Sequence, residues 1–298
     1  PHDRRLDGWD EAVAIAREAF PGIQLRDPAH YERATDYVRS FQALHERLLA
    51  RTTPKVVFIV SYYGAEAMAL IRACRARGIA TVDLQHGCIN DAHWAYAHWS
   101  RLPRDGFDLL PRWFWVWSEA EARTIRSWTD RSGGAHAPLV GGNPFLETWR
   151  DGSSAIVRTM DARVEAIKAR AGARHHVLYT TNGFETAVEL GRLREAIERS
   201  EHELFWWVRL HPAAPAGSRE LLERELGAAR ARTWFIDGTG ELPLYGVLRH
   251  VAGHVTEASS TVIEAAAFDV PTVLLSRREA VMYEDLIERG WATVIDPE

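Results

Sequence analysis

Short apolar runs alternate with amphipathic segments along most of the chain. Residues 56–60 form a β-branched run between Pro54 and Gly64, which predicts a buried parallel strand. The apolar spacing over 65–77 predicts a helix, and the run at 80–84 predicts the next strand. These segments together predict a βαβ unit, preceded by roughly 50 residues whose apolar spacing is helical.

The alternation becomes more regular after the middle of the chain. A polar, glycine-bearing stretch at 147–154 separates two halves and predicts a domain boundary there. Strands are predicted at 113–117, 139–144 (a strand running into a turn), 176–181, 204–210, 233–236, 251–256, 272–275 and 293–295, and helices at 119–128, 155–170, 186–200, 218–226, 242–248, 261–268 and 280–289. The pattern is typical of doubly wound parallel sheets, so we predict an α/β fold with an N-terminal domain at 1–150 and a C-terminal domain at 151–298.

The composition narrows the classes of function. Hydrophobic residues make up 46% and charged residues 26% of the 298 residues, which suffices for two globular cores. The net charge of -5 creates no field that attracts nucleic acid, so no nucleic-acid partner is expected. The two cysteines, Cys74 and Cys88, exclude a disulfide framework and a Cys-rich zinc site and favour a cytoplasmic location. No apolar run approaches the ~20 residues that a membrane-spanning helix needs.

Polar residues follow four of the predicted strands at the point where each strand ends. Ligands of doubly wound sheets bind beyond the carboxyl ends of the strands, so chemistry is expected in these segments. The segments are Gln85-His86-Gly87, Asn182-Gly183, His211-Pro212 and Thr256-Glu257-Ala258-Ser259-Ser260.

The first of these segments carries a histidine that can transfer a proton. The ordinary pKa of histidine lets His86 act as acid or base near neutral pH, and Gly87 lets the backbone approach a ligand closely. Asp91, a few residues downstream, is a second group that could take a proton from a hydroxyl. The alternative interpretation is that His86 only hydrogen-bonds the end of its strand.

Aromatic residues cluster after this segment. Trp94, Tyr96 and Trp99 predict either a thick aromatic core, which is the commoner use, or a surface on which sugar rings stack. His93 and His98 lack the carboxylate or cysteine ligands of a convincing zinc site, so no metal site is predicted.

The second half carries residue types that bind phosphate. Arg209 lies two residues before His211, on the same strand face, and supplies a permanent positive charge. Pro212 ends the strand and directs His211 beyond the edge of the sheet. The alternative is a strand end with a solvated histidine and a surface arginine.

Three consecutive hydroxyl residues, Ser259, Ser260 and Thr261, stand between a predicted strand and an apolar helix. Hydroxyls and free N–H groups at a helix start predict an anion site. The alternative is an ordinary N-cap, with Glu264 supporting the first turn. Because His211 and the serines follow strands of one sheet, we expect them to share an edge and to bind one phosphate or diphosphate.

Five motifs follow one another along the chain: Leu84-Gln85-His86-Gly87, Gly142-Asn143-Pro144, His211-Pro212, Glu257-Ala258-Ser259-Ser260 and Val270-Pro271-Thr272-Val273. In this order they resemble the bacterial surface-polysaccharide glycosyltransferases of the GT-B superfamily, over roughly residues 55 to 276. Related patterns occur in bacterial sialyl- and Kdo-transferases, in CDP-glycerol:poly(glycerophosphate) transferases and in UDP-N-acetylglucosamine 2-epimerases. The resemblance implies two Rossmann-like domains that face each other across a cleft.

The resemblance also implies a role for individual residues. In those families the His-Pro histidine contacts or protonates the donor phosphate and the Ser-Ser pair binds it, which implies these roles for His211, Ser259 and Ser260. The glutamate that holds the donor ribose corresponds to Glu264. The histidine that acts as base in the phosphate-polymer transferases corresponds to His86.

We therefore predict a metal-independent glycosyltransferase that moves a sugar from a CMP-, CDP- or UDP-linked donor to a surface glycan, as in capsule or lipopolysaccharide synthesis. The nucleotide is expected near Asn182-Gly183 and Thr239-Gly240-Glu241, with Arg209 and Thr261 near its phosphates. No cofactor is expected besides the nucleotide-sugar co-substrate. His86 or Asp91 is expected to take the proton of the acceptor hydroxyl.

Two other classes of function remain open. A sugar-nucleotide 2-epimerase shares the fold but needs acid/base carboxylates facing the sugar, and the first domain offers no matching set. A non-catalytic glycan-binding module of a larger polymerase would keep the same folds. The partners expected are a carbohydrate or lipid-linked glycan acceptor and, by peripheral association, the inner membrane or a longer multi-domain chain, since the sequence begins at Pro1 without a methionine.

Overall fold

The chain divides into two α/β units. The computed structural model describes residues 8–100, 102–103, 105–173, 175–183, 187–200, 204–236, 242–257 and 259–295. The first unit comprises residues 1–142 and the second residues 143–298. Each contains a parallel sheet flanked by helices, which confirms the predicted α/β class with two Rossmann-like domains.

The first unit is built on a four-stranded parallel sheet. Its strands are β1 (Val56–Val60), β2 (Ala80–Leu84), β3 (Trp113–Val116) and β4 (Ala137–Val140). Its helices are α1 (Trp9–Ala19), α2 (Pro28–Thr52), α3 (Ala65–Ala76) and α4 (Glu119–Thr129). The strands lie in the order β1-β2-β3-β4, so each crossover joins neighbouring strands and the predicted βαβ unit is confirmed.

The core of the first unit lies on one face of this sheet. Ile59 and Phe114 pack there with Ile71 of α3 and with Ile125 and Trp128 of α4. On β1 the alternate side chains remain exposed, and the side chain of Phe58 is 55% accessible. The prediction of a buried strand therefore holds for only one face of β1, because the face that carries Val56, Phe58 and Val60 is not covered by the described helices.

The second unit is built on a six-stranded parallel sheet. Its strands are β5 (His175–Thr180), β6 (Leu204–Arg209), β7 (Thr233–Ile236), β8 (Gly253–Thr256), β9 (Thr272–Leu274) and β10 (Ala292–Val294). Its helices are α5 (Pro144–Asp151), α6 (Ala155–Ala171), α7 (Ala187–Arg199), α8 (Ser218–Leu226), α9 (Leu244–Leu248), α10 (Thr261–Ala267), α11 (Arg277–Ala280) and α12 (Glu284–Glu288), with 3-10 turns at Gly227–Arg232 and Val281–Tyr283. Among the described residues, no helix is long and apolar enough to cross a membrane.

The order of the strands creates a switch point in this sheet. From one edge to the other the order is β7-β6-β5-β8-β9-β10. The chain builds outward from β5 on one side and then returns to β8, which pairs with β5, to build the other side. This is the Rossmann arrangement, in which ligands bind at the carboxyl ends of the two central strands.

Both faces of the second sheet are covered. Along β6, Phe205 and Trp207 pack with residues of α6 and α9, whereas Trp206 and Val208 pack with residues of α7 and α8. A strand buried on both faces carries a continuous apolar run, which is how β6 was recognisable in the sequence.

Helix α5 was not predicted from the sequence. The stretch after Gly142 was expected to be a turn followed by a polar connection. Pro144 instead starts a helix, because Asn143 accepts a hydrogen bond from the N–H of Leu146 at 3.0 Å and proline is compatible with the first helical position. The predicted boundary between residues 150 and 151 falls at the end of this helix, inside the second unit.

A buried histidine joins three central strands of the second sheet. The ring of His254 on β8 has no accessible surface; its Nε2 is 2.8 Å from Thr180 Oγ1 and its Nδ1 is 3.0 Å from Thr272 Oγ1. Burial lowers the pKa of His254 to about 3. Both ring nitrogens have partners, so this histidine is a structural one.

The buried ring predicts a loss of stability in acid. The folded protein keeps His254 neutral down to about pH 3, whereas an unfolded chain protonates it below about pH 6.5. As the pH falls through that window, the ring lowers the free energy of unfolding by up to ~1.4 kcal/mol per pH unit. We expect His254→Gln to flatten this dependence in urea unfolding between about pH 7 and pH 4. His175 is exposed, so His175→Gln should keep the pH dependence of the free energy of unfolding that the parent shows. Equal pH dependences in the two variants would contradict the structural role of His254.

Candidate functional site

The second unit has a pocket at the switch point of its sheet. It has a volume of about 370 Å³, within the ~300–1,000 Å³ typical of small-molecule sites. Its walls come from the ends of β5 and β6 and from the segment between β8 and α10. The lining residues are Thr180, Thr181, Asn182, Arg209, Leu210, His211, Pro212, Leu244, Ser259, Ser260, Thr261 and Glu264. The tertiary structure thus brings together the residues singled out after three strands, and we call this site the switch-point pocket.

Two hydrogen bonds fix the backbone and the ring of His211. The N–H of His211 donates to Thr181 Oγ1 at 2.8 Å, and the N–H of Ala213 donates to His211 Nδ1 at 3.1 Å. A ring nitrogen that accepts carries no proton, so the neutral ring has its proton on Nε2. Gly183 has a φ of +88°, and a Cβ there would lie 3.3 Å from His211 Cβ. His211 Nε2 is therefore the atom left to donate to a ligand.

Arg209 supplies a cation to the same pocket. Its Nη1 donates to the carbonyl of Leu242 at 2.8 Å, which holds the half-buried guanidinium in place. Burial lowers the pKa of Arg209, yet a guanidinium stays charged at any physiological pH. Fixed positive charge beside a hydrogen-bond donor is the combination that recognises phosphate.

Hydroxyl groups line another wall of the pocket. Ser259 Oγ accepts from the N–H of Thr261 at 3.3 Å, and its own hydroxyl donates to Thr261 Oγ1 at 3.0 Å. Ser260 occupies the N-cap position of α10 with helical backbone angles and makes no side-chain capping bond. Of the two serines proposed as a cap, Ser259 is therefore the one that satisfies a backbone donor at the helix start.

A buried carboxylate closes the pocket. Glu264 is only 8% exposed, and its Oε2 has no hydrogen-bond partner within the described part of the chain. Burial raises the pKa of Glu264 to about 7. An unpartnered buried carboxylate costs stability, and its free oxygen at the pocket wall can accept a hydrogen bond from a bound molecule.

The first unit places a second group of polar residues at the carboxyl edge of its sheet. His86 follows β2, and its Nε2 lies 2.9 Å from Ser61 Oγ and 3.3 Å from Tyr63 Oη, both of which follow β1. His93 and Trp94 complete the group, which we call the His86 cluster. Partial burial lowers the pKa of the His86 ring.

Trp94 is the exposed aromatic face of this cluster. Its side chain is 72% accessible, its ring stacks on His93 with centroids 6.0 Å apart, and it meets Tyr63 edge-on at 5.0 Å. An exposed indole held by two neighbouring rings can bind the apolar face of a sugar.

The expectation that Tyr96 stacks on a sugar is wrong. Tyr96 is 1% exposed and its hydroxyl donates to Asp83 Oδ2 at 2.8 Å, inside the core. Asp83 also accepts from the N–H of Tyr62 at 3.1 Å. Burial raises the pKa of Asp83 to about 6. Trp99 is half-buried, and its Nε1 donates to the carbonyl of Ala95 at 3.0 Å.

Asp91 makes contacts different from those of His86. Its Oδ1 accepts from Thr124 Oγ1 at 2.9 Å, and its backbone carbonyl lies 2.6 Å from His98 Nε2. Asp91 and His98, with Ser127 and Arg131, line a separate depression of about 360 Å³. The structure therefore places Asp91 and His86, the two candidate bases, in different surroundings.

The sequence reasoning missed Ser61 and Tyr63. The signal was available, because both directly follow a predicted strand, and the rule that selected His86 applies equally to them. Of the nucleotide-binding segments proposed, Thr239-Gly240-Glu241 lies outside the described residues. Within the described residues, no three His, Cys, Asp or Glu side chains form a group that could hold a metal ion.

No known family model matches the chain, and no curated protein sequence matches it. Similarity is found instead among solved structures. The S. aureus MnaA–UDP structure is 15% identical, with a TM-score of 0.61, and the match covers 96% of this chain and 73% of that one. The UDP-GlcNAc 2-epimerase of Neisseria meningitidis, bound to UDP-GlcNAc, is 16% identical, with a TM-score of 0.56 and coverage of 92% and 75%.

A plant protein extends the comparison. UGT73P12 of Glycyrrhiza uralensis, complexed with glycyrrhetinic acid 3-O-monoglucuronide, is 15% identical, with a TM-score of 0.53 and coverage of 94% of this chain and 67% of that one. Identities this low show similarity of fold alone. The predicted GT-B fold class is thereby confirmed.

Proposed function

We propose that the chain is an enzyme that acts on nucleotide sugars and, more specifically, a glycosyltransferase that moves a sugar from a pyrimidine-nucleotide donor to a glycan acceptor. The observation that carries the proposal is the switch-point pocket, where a cation, an oriented histidine N–H, hydroxyls and an unpartnered carboxylate converge. UDP or UDP-GlcNAc is present in two of the proteins with similar folds, which supports the same ligand class here.

The donor phosphate meets Arg209, His211 and the two serines in this proposal. As the bond between the sugar and the phosphate breaks, its electron pair leaves with the phosphate and negative charge grows there. Donors already fixed in position, such as His211 Nε2, stabilise that charge without reorganising. The cation is supplied by Arg209.

The donor ribose meets Glu264. A ribose offers two adjacent hydroxyl groups, and a carboxylate accepts from both. Binding would give Oε2 the partner that it lacks and would compensate the burial of the charge. This assignment explains why an acidic group stands in a pocket that otherwise recognises an anion.

The acceptor is assigned to the His86 cluster. A sugar ring stacks on Trp94, and one of its hydroxyls gives its proton to His86 Nε2 while the hydroxyl oxygen attacks the donor sugar. A 2-epimerase is the second candidate, because five of the solved structures with similar folds are described as UDP-GlcNAc 2-epimerases, one of them as putative. Among the described residues of the His86 cluster the ring of His86 is joined by hydroxyls rather than carboxylates, which favours transfer.

Nucleotide binding tests the donor site. We expect at least one of UDP, CDP and CMP to bind the protein in calorimetric titration. His211→Ala should weaken that binding roughly 10- to 150-fold, as loss of one hydrogen bond to a charged group predicts. His175→Ala, a change of an exposed histidine at the amino end of β5, is the matched control and should bind as the parent does. If no nucleotide binds, or if His211→Ala binds unchanged, the site is wrongly assigned.

A substitution of Glu264 tests the ribose contact. The parent should prefer UDP over 2′,3′-dideoxy-UDP by about tenfold or more, and Glu264→Gln should lose most of that preference. A preference that survives the substitution would remove Glu264 from the ribose site.

The same substitution should stabilise the ligand-free protein at high pH. The folded-state pKa of Glu264, about 7, lies above its unfolded value, so its stabilising contribution is complete below about pH 4.5 and is lost as the pH rises through 7. Replacing it with Gln should raise the free energy of unfolding at pH 8 by roughly 1–3 kcal/mol relative to pH 4.5. Urea unfolding at the two pH values measures the difference, and a variant destabilised at pH 8 would contradict it.

Removal of the base tests transfer. His86→Ala should lower kcat about 10²- to 10⁴-fold and leave the donor KM near the parent value, whereas His30→Ala on α2 should change neither. Because burial lowers the pKa of His86, the parent should stay active below pH ~6.5 and lose activity only as the pH falls through that lowered pKa. A His86→Ala variant that transfers sugar as fast as the parent would remove His86 as the base. A parent protein that transfers no sugar would favour a binding module, and turnover of UDP-GlcNAc without any acceptor would favour an epimerase.

A further inference from the structure

The turn after β1 has an unusual backbone. Ser61 has a φ of +59°, a left-handed conformation that is uncommon for a residue other than glycine. Strain of this kind persists only where the surrounding structure maintains it, and it clusters at functional sites. Here it places the Ser61 hydroxyl 2.9 Å from His86 Nε2.

A buried carboxylate maintains this turn. Asp83 Oδ1 accepts from the N–H of Tyr62, the residue after Ser61, at 3.1 Å. Its other oxygen accepts from Tyr96, so the carboxylate is itself held in place. The strained serine is thus fixed from inside the core.

The hydrogen bonds of His86 define which ring nitrogen is basic. Hydrogen bonding with the backbone of Leu84 raises the pKa of the His86 ring and so opposes the lowering by burial, which is the direction that an accepting carbonyl gives. Nε2 faces Ser61 and Tyr63, so Nδ1 is the nitrogen that donates to the carbonyl. Nε2 then has no proton in the neutral ring and accepts from the two hydroxyls.

A serine beside a histidine at a strand-to-helix turn also resembles a nucleophile elbow. Such an elbow needs the N–H of the residue after the serine to stabilise an oxyanion. In this chain that N–H belongs to Tyr62 and is engaged by Asp83. The geometry therefore favours a serine that orients the base over a serine that attacks a substrate.

We propose that Ser61 and Tyr63 are positioning residues for His86: their hydroxyls donate to Nε2 and hold it, unprotonated, where an acceptor hydroxyl delivers its proton. The proposal rests on the proposed function, in which His86 is the base. Nε2 has one lone pair, so the acceptor hydroxyl displaces the bonds that Ser61 and Tyr63 donate to it. Its proton then passes to Nε2 as its oxygen bonds to the donor sugar, and the bond between that sugar and the phosphate breaks with its electron pair going to the phosphate.

Titration of the ring by NMR tests this directly. In long-range ¹H–¹⁵N spectra, with the His86 signals assigned by comparison with His86→Gln, the neutral ring should carry its proton on Nδ1. Donation to Nε2 favours the neutral ring, so Ser61→Ala should raise the pKa of His86 by about half to one pH unit, and Tyr63→Phe should raise it by less. The double variant should show the sum.

Three comparisons make the outcome specific. Ser61→Gly removes the hydroxyl and relaxes the backbone, and it should raise the pKa of His86 as Ser61→Ala does. His93→Gln separates the effect of the neighbouring ring charge, which is coupled to His86, from that of the hydroxyls. Tyr37→Phe removes an exposed hydroxyl that bonds to Glu66 of α3 and not to His86, and it should leave the titration unchanged.

Opposite results would overturn the proposal. A fall in the pKa of His86 in Ser61→Ala would mean that the serine accepts from a protonated ring, and an unchanged pKa would mean that it does not bind the ring. Labelling of Ser61 by a fluorophosphonate would identify a nucleophile instead. The titration needs no substrate, so a failure of nucleotide binding would contradict the proposed function without altering this result.

Discussion

Parallel strands all end at the same edge of their sheet, and the organisation of both units depends on this constraint. In the second unit the strand order reverses between β5 and β8, so the chain leaves these neighbouring strands in opposite directions. The gap between their connections becomes the switch-point pocket. Residues far apart in the chain, such as Thr181, His211 and Ser259, line it for this reason alone.

Two buried ionisable side chains, His254 and Glu264, differ in whether their polar atoms have hydrogen-bond partners. His254 and Glu264 are both enclosed, and burial disfavours the charged form of each. His254 has a hydroxyl partner at each ring nitrogen, so its burial leaves no polar atom of the ring without a hydrogen bond. Glu264 Oε2 is left without a partner inside the described part of the chain, and burial raises the pKa of this carboxyl to about 7 because the charged form is the costly one.

Each unit places its polar residues at the carboxyl edge of its own sheet, and the two edges carry different residue types. The switch-point pocket combines a guanidinium with hydroxyls and suits an anionic ligand. The His86 cluster combines an imidazole with Ser61, Tyr63 and an exposed indole, and suits a neutral ligand that carries hydroxyls. Asp83 stabilises this cluster from the core, because its carboxylate accepts a hydrogen bond from the N–H of Tyr62 in the turn that carries Ser61.

The sequence alone determined most of the helices and strands and the residue types that line the switch-point pocket. Apolar periodicity is a local property, so β1, β2 and the alternation of the second half were readable, and the residues after β6 and β8 were found because parallel strands end together. Helix α5 was missed because its cap, Asn143, sits in a motif that also reads as a turn.

The tertiary structure alone decided burial and pairing. Whether an aromatic side chain faces the core or solvent depends on neighbours remote in sequence, which is why Tyr96 is buried against Asp83 while Trp94 is exposed. The same holds for Glu264, whose missing partner no local pattern could reveal, and for the left-handed Ser61, whose conformation depends on a carboxylate of the next strand. Sequence patterns report what each segment prefers, whereas a binding site depends on which segments meet.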